Sequence, residues 1–399
     1  MKDEIRIASI GNVDSAKSTT ISVLSTNILD NGRGKARTCI LKHPHEELTG
    51  RTSSISHHYI ENSEKIFGFI DLAGHEKYLK TTMSGLNGHY IDYGMVTIGV
   101  DRGIIGMAKE HMAIALSLKI PLFIVITKID IAIQDKLDNI KTSINNIFKH
   151  PIAGKKKTII VSDSNIEEVC NNFDKDCPYV PVFEISNVTG LGIDILKKFV
   201  FSLKKYKTIG NEHSDNPIFR IDDRYKIKGI GLVVSGIVQE GIIRLNDKLL
   251  IGPFNGKFKE VLIRSIHDNF KRNVDYLTTG QGGCFNIKVI NKKENIEFRS
   301  IKQGHIITKK PKCFEMFDAK ITILHHPTTI RTHYEPVIHC GSVRQSAKIC
   351  KMDKELARTG DSAIVTFKFC FRPEFIENNM DIVFRDGRTK GIGKVLKTH

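Results

Sequence analysis

The chain has 399 residues, room for two to four domains of roughly 100–200 residues and for several buried cores. Forty per cent hydrophobic and 26% charged residues mark an ordinary globular composition, and the longest apolar stretches, 94–100 and 121–126, are far below the roughly 18 residues of a membrane helix. Sixty Lys and Arg against 44 Asp and Glu give a net charge of +16, and the imbalance is not uniform along the chain.

From the amino terminus, short β-rich runs alternate with helical patterns, the signature of parallel βαβ units. Residues 5–10, 65–71, 94–100, 122–127, 158–162 and 182–186 read as strands, and 17–29, 109–118, 134–148 and 193–203 as helices. Residues 96–100 are apolar at nearly every position, which predicts a strand buried on both faces. Residues 204–216 dissolve into Lys, Gly, Asn, Ser and Asp and end at Pro217, a linker composition. Beyond it, 231–238, 248–251, 258–267 and 283–290 read as short strands between Gly and Asn/Asp turns, the spacing of an antiparallel barrel or sandwich. A second such set, 317–324, 336–340, 346–351, 362–371 and 380–385, follows Lys309-Lys310-Pro311-Lys312. The expected boundaries are 1–208, 209–312 and 313–399.

The charge follows these boundaries. Through residue 208 the chain carries 27 basic against 23 acidic residues, +4, and beyond it 33 against 21, +12. A polyanionic partner for the second half is one reading and a merely basic surface the other. Lys155-Lys156-Lys157 reads as a solvated loop face, and the Lys and Arg of 257–312 as an RNA candidate.

After the first predicted strand comes Gly11-Asn12-Val13-Asp14-Ser15-Ala16-Lys17-Ser18-Thr19, opening into a helix. This is the phosphate loop GxxxxGK[ST] with Ala16 in the place of the second glycine. Backbone amides at a helix N-terminus cradle β-phosphate oxygens, Lys17 supplies charge to the β- and γ-phosphates, and Ser18 ligates Mg²⁺. Asp71-Leu72-Ala73-Gly74 and Thr127-Lys128-Ile129-Asp130 each end a predicted strand, where ligands of open α/β sheets collect. Asp71 is expected to hold Mg²⁺ through water, and the Gly74 amide to face the γ-phosphate and release when it is lost. Asp130 is suited to accept from guanine N1–H and its 2-amino group, whereas adenine would leave the carboxylate unpaired. The expected ligands are GTP, GDP and Mg²⁺.

These residues, with His75-Glu-Lys-Tyr-Leu-Lys after the Asp71 motif, resemble a translational GTPase of the elongation factor Tu / elongation factor 1-alpha class. Leu29-Asp-Asn-Gly-Arg-Gly-Lys-Ala-Arg37, His45-Glu46 and Gly50-Arg-Thr-Ser-Ser54 resemble more specifically the GTP-binding protein 1 and 2 subfamily. Gly229-Ile-Gly-Leu-Val-Val-Ser-Gly236 with Glu240-Gly241 is similar to that class's second domain. Gly341-Ser-Val-Arg-Gln345 and Phe384-Arg-Asp-Gly-Arg-Thr-Lys-Gly-Ile-Gly393 are similar to its third. The resemblance implies an α/β phosphate-loop domain, with a mostly parallel sheet and helices on both faces, followed by two antiparallel β-barrels. It also implies Mg²⁺-dependent GTP hydrolysis and partners in tRNA and the ribosome, without the extended N-terminal region of animal subfamily members. By resemblance, Thr52 is the switch threonine on Mg²⁺, His75 orients the attacking water, Asp14 supports charge neutralisation near the β–γ bridge, and Ser186-Asn187 is the last guanine-contacting motif.

Ala16 is the chief departure. If a glycine is required there, a β-carbon adds about 1–2 kcal/mol of strain and a lost charged hydrogen bond about 1.5–3 kcal/mol, together an affinity loss on the order of 10²–10⁴-fold. The alternative function is therefore a nucleotide-binding-impaired pseudo-GTPase that serves as an RNA-binding module. A further reading, the GTPase subunit of an ATP sulfurylase, has the Arg51-Thr-Ser-Ser54 region and the cationic second half against it. Arg51, where elongation factor Tu relatives carry an apolar gate, reads either as a surface ion pair or as an arginine acting in cis on the γ-phosphate.

Eight cysteines without a CxxC pair argue against disulfides and against zinc. The pairs His43/His45, His57/His58 and His325/His326, and His339-Cys340, lack a closed four-ligand pattern. The start, Met1-Lys-Asp-Glu-Ile-Arg, lacks an apolar signal core, so the expected location is the cytoplasm, with no membrane partner.

Overall fold

Strands apolar on both faces are stable only between two layers of helices, and strands that alternate are stable around a single interior. The two halves of the chain divide in this way. The computed structural model describes residues 2–39, 56–72, 91–104, 106–117, 119–150, 153–174, 176–205, 210–254, 256–291, 296–340, 343–386 and 389–399. It separates into two units, essentially residues 1–207 and 208–399.

In the first unit, β1 (Asp3–Gly11), β2 (Ser56–Glu61), β3 (Lys65–Asp71), β4 (Tyr93–Gly99), β5 (Leu122–Thr127), β6 (Lys157–Ile160) and β7 (Tyr179–Glu184) form one sheet, in the order β2-β3-β1-β4-β5-β7-β6. Every pairing is parallel except β2 on β3, where Ser56 faces Asp71. β4 and β5 are buried at every position. The helices are α1 (Lys17–Thr26), α2 (Lys35–Thr38), α3 (Gly106–Ser117), α4 (Gln134–Lys149), α5 (Ile166–Asn172) and α6 (Ile193–Ser202).

α1 stops three residues short of the predicted end. Asn27 turns left-handed at φ 58° and its N–H caps the Val23 carbonyl, a chain-terminating geometry that asparagine tolerates. α6 docks through Phe199, whose ring lies 4.8 Å from Phe183 and 5.2 Å from both Phe123 and Phe173. Each such buried ring contributes about 1.5–3 kcal/mol.

The second unit contains two closed antiparallel barrels, settling the choice between barrel and sandwich. The first is built from β8 (Ile218–Ile227), β9 (Gly231–Glu240), β11 (Lys248–Phe254), β12 (Lys257–Asp268), β14 (Gly282–Val289) and β15 (Ile306–Thr308), beside a small pair β10 (Ile242–Arg244) and β13 (Tyr276–Thr278). The second comprises β16 (Met316–His325), β17 (Val337–Cys340), β18 (Val343–Met352), β19 (Ser362–Phe369), β20 (Asp381–Asp386) and β21 (Thr389–Thr398). Phe219, Val234, Ile263 and Phe285 fill one interior and Phe317, Ile349, Phe367 and Phe384 the other. Closure removes the exposed sheet edges that would otherwise invite aggregation.

Candidate nucleotide-binding site

The loop after β1 is shaped by contacts with three other elements. Gly11 sits at φ 147°, and a β-carbon there would lie 2.3 Å from the Thr97 carbonyl oxygen of β4, so only glycine lets the two strands approach this closely. Asn12 Oδ1 accepts from the Ala108 amide of α3 at 3.1 Å. Ser15 Oγ lies 2.9 Å from both the Asn12 carbonyl and Thr97 Oγ1, and Thr127 Oγ1 of β5 donates to the Ser15 carbonyl at 3.0 Å. Asp14 and Ala16 both have φ 63°. Ala16, with ψ 26°, is the N-cap of α1 and its carbonyl accepts the first helical bond, from Thr20 N at 2.8 Å.

Lys17 is buried, with Nζ donating to the carbonyls of Gly11 at 3.2 Å and Asn12 at 2.5 Å. Burial pushes its pKa down, against the opposing pull of Asp71 and Asp14. An ammonium curled onto its own loop carbonyls, in a site that disfavours its charge, is a group an incoming phosphate would stabilise. Ser18 Oγ donates to Asp71 Oδ2 at 2.5 Å. Two of the three predicted Mg²⁺ residues, Ser18 and Asp71, thus meet, and a hydroxyl with a carboxylate is the hard oxygen donor set that Mg²⁺ requires.

At the other end of the site, Ser186 Oγ donates to Asp130 Oδ1 at 2.6 Å and accepts from the amides of Val188 and Thr189. Asn187 Nδ2 donates to Thr20 Oγ1 of α1 at 3.0 Å, so the predicted base-reading and phosphate-reading segments share one framework. Lys128 turns left-handed at φ 64° and its ammonium pairs with Asp101 at 2.8 Å. Asp14, assigned by resemblance to charge neutralisation, pairs with Arg102 at 2.9 Å. Val13 and Thr19 complete the loop and the first turn of α1. Thr52, Gly74, His75 and Arg51 lie outside the described residues.

Asp101 and Arg102 went unrecognised in the sequence. The available signal was their position directly after the apolar β4, where sheet ligands gather. His111 of α3 was missed as well. It is 1% exposed, and neither ring nitrogen has a hydrogen-bond partner among the described residues. Burial, and then the charge of Lys17, holds its pKa down to about 4. The unfolded chain, with its histidine near 6.5, therefore binds more protons between these values, and stability falls as pH drops from about 6.5 to about 4. His111→Leu is expected to remove up to about 3 kcal/mol of that acid sensitivity, read as a flatter dependence of the thermal midpoint on pH. An unchanged dependence would contradict it.

Elsewhere, His58 Nε2 bonds Ser56 Oγ at 3.1 Å, and His326 Nδ1 accepts from Thr328 N at 3.0 Å. All eight cysteines are free thiols. Among the described residues no group of three or more His, Cys, Asp or Glu is placed to hold a metal ion, and no helix is long and apolar enough to cross a membrane.

Residues 2–216 match the family model described as the elongation factor Tu GTP binding domain. Along nearly its whole length the chain is 38% identical to GTP-binding protein 1 of Xenopus laevis, covering 99% of this chain and 63% of that protein. It is 33% identical to GTP-binding protein 2 of Homo sapiens, covering 98% and 69%. The chain thus spans about two thirds of the length of these relatives. Among solved structures, the elongation factor SelB of Methanococcus maripaludis in complex with the GTP analogue GppNHp superposes with a TM-score of 0.73 at 20% identity, covering all of this chain and 80% of that one.

Proposed function

Since the chain belongs to the translational GTPase family of elongation factor Tu, and resembles within it GTP-binding proteins 1 and 2, we propose that it is a Mg²⁺-dependent GTP-hydrolysing switch that acts on RNA at the ribosome. The observation that carries this reading is the single framework linking Lys17, the Ser18–Asp71 pair and the Asp130–Ser186 pair. Amides of residues 11–19 and the Lys17 ammonium hold the β- and γ-phosphates. Ser18, Asp71 and Thr52 would hold Mg²⁺, which when bound would supply positive charge to the phosphates. Asp130 reads guanine, with Thr127, Lys128, Ser186 and Asn187 fixing the wall around it. His75 orients water for in-line attack on the γ-phosphate, giving GDP and inorganic phosphate, with the rate coming from positioning and electrostatics. We assign the three segments 1–208, 209–312 and 313–399 to the switch domain and to the two RNA-facing barrels.

Ala16 bears on the reading that competes with this one, a pseudo-GTPase. Its left-handed conformation is already present in the folded chain, so the strain weighs on folding rather than on nucleotide binding. What remains is at most one weakened amide contact of about 1.5–3 kcal/mol, roughly a ten- to hundredfold loss of affinity. That loss weakens a switch without disabling it.

The test of the whole reading is tRNA affinity of the full chain across a salt series, with GTP or GDP and Mg²⁺ present. The +12 of residues 209–399 predicts affinity that falls steeply with salt, and a switch predicts tighter binding with GTP. Binding indifferent to salt and to nucleotide would overturn it.

A further inference from the structure

Within the second unit, the β11–β12 hairpin, the loop leading into β15 and the segment after β19 line an open cavity of about 440 Å³. That is within the range of small-molecule sites. Its walls carry the cations Lys259, Lys302 and Arg372, the carboxylate Glu297, and the rings of Phe254 and His305.

Arg372 is held in place before any ligand arrives. Its Nε donates to Glu374 Oε1 at 2.9 Å, and the buried Gln345 amide donates to the same oxygen at 2.9 Å. Gln345 Oε1 in turn accepts from the amides of Phe371 and Arg372 at 2.8 and 2.9 Å. A guanidinium tied at Nε keeps its terminal nitrogens available as a planar two-donor edge.

Lys302 is exposed and makes no ion pair among the described residues. Lys259 Nζ stands 5.2 Å over the Phe254 ring, and His305 meets that ring edge-on at 4.9 Å. Burial first, and then Lys302, Arg372 and Arg224, hold the His305 pKa down to about 4, so the ring is neutral at pH 7. Burial also raises Glu374, with Arg372 opposing. The lining therefore carries Lys259, Lys302 and Arg372 against Glu297, with Glu374 pairing Arg372 from behind, an excess of one positive charge.

We propose that this cavity binds a phosphate-bearing ligand, held by the Arg372 edge and the ammonium groups of Lys302 and Lys259. The phosphate belongs either to a free diphosphate compound or to an RNA chain, and both present the same chemistry here. The site is separate from the nucleotide site of the first unit and does not depend on it.

The experiment uses the full chain with GDP and Mg²⁺ throughout, its histidines ¹³C-labelled, titrated with inorganic pyrophosphate. A bound anion raises the His305 pKa from about 4, a response that pyrophosphate on the loop after β1 does not produce. Lys302→Glu, a change at an exposed side chain, weakens the pyrophosphate response at His305 at least tenfold. A 15-nucleotide single-stranded RNA that displaces pyrophosphate assigns the site to RNA, and failure to displace it assigns the site to a free phosphate compound. A His305 titration untouched by pyrophosphate, or equal affinity in Lys302→Glu, overturns the proposal.

Discussion

Lys17→Met is expected to abolish most GTP and GDP affinity while leaving the fold about as stable as before. The wild-type ammonium is buried, its pKa pushed down, and among the described residues its hydrogen bonds go to two carbonyls of its own loop. An apolar side chain of similar length relieves the cost of burying a charge, offset by two carbonyls that lose a donor. In the complex the same substitution deletes two charge-assisted hydrogen bonds to phosphate, each about 1.5–3 kcal/mol, hence about 3–6 kcal/mol or roughly 10²–10⁴-fold in affinity. Titration with fluorescent nucleotide and thermal unfolding of the same preparation separate the two effects. Undiminished affinity would mean that the phosphates do not meet Lys17.

Asp130→Ala is expected to act on guanine alone. The carboxylate is exposed and is braced by Ser186 at 2.6 Å, so little of the fold depends on it. Two hydrogen bonds from guanine to a charged acceptor again correspond to roughly 10²–10⁴-fold for GDP, whereas ADP, which has no donor for that carboxylate, changes little. The ratio of GDP to ADP affinity is the quantity to measure. An equal loss for both nucleotides would show that Asp130 supports the site without reading the base.

Much of the first unit was legible because its strands are apolar runs ending in short polar motifs. β3 and β5 have the residue ranges expected, and α4 differs from its expected range by one residue. What escaped had weak local signals. β2, Ser-His-His-Tyr-Ile-Glu, is an antiparallel edge strand with little apolar content. α5 is only seven residues long, too short for a helical period to declare itself. In the second unit, β10, β13 and β15 have three residues each, and a strand that short is defined by the partner it closes against, while the ten-residue β8 and β21 escaped because charged residues and glycines interrupt their apolar alternation. The same limit applies to the site. The loop and the Asp71 and Asp130 motifs are contiguous in sequence, but the Asp14–Arg102 and Lys128–Asp101 pairs join separate segments, which no local pattern encodes.

Whether this chain switches or only holds RNA turns on Ala16. The decisive measurement is a titration of the unmodified protein and of Ala16→Gly with fluorescent GDP and GTP, with and without Mg²⁺, competed by ATP. The geometry predicts guanine-selective, Mg²⁺-dependent binding by the unmodified protein, with Ala16→Gly tighter by no more than about a hundredfold. Binding by the glycine variant alone would contradict this, making the chain a pseudo-GTPase whose function resides in its basic barrels.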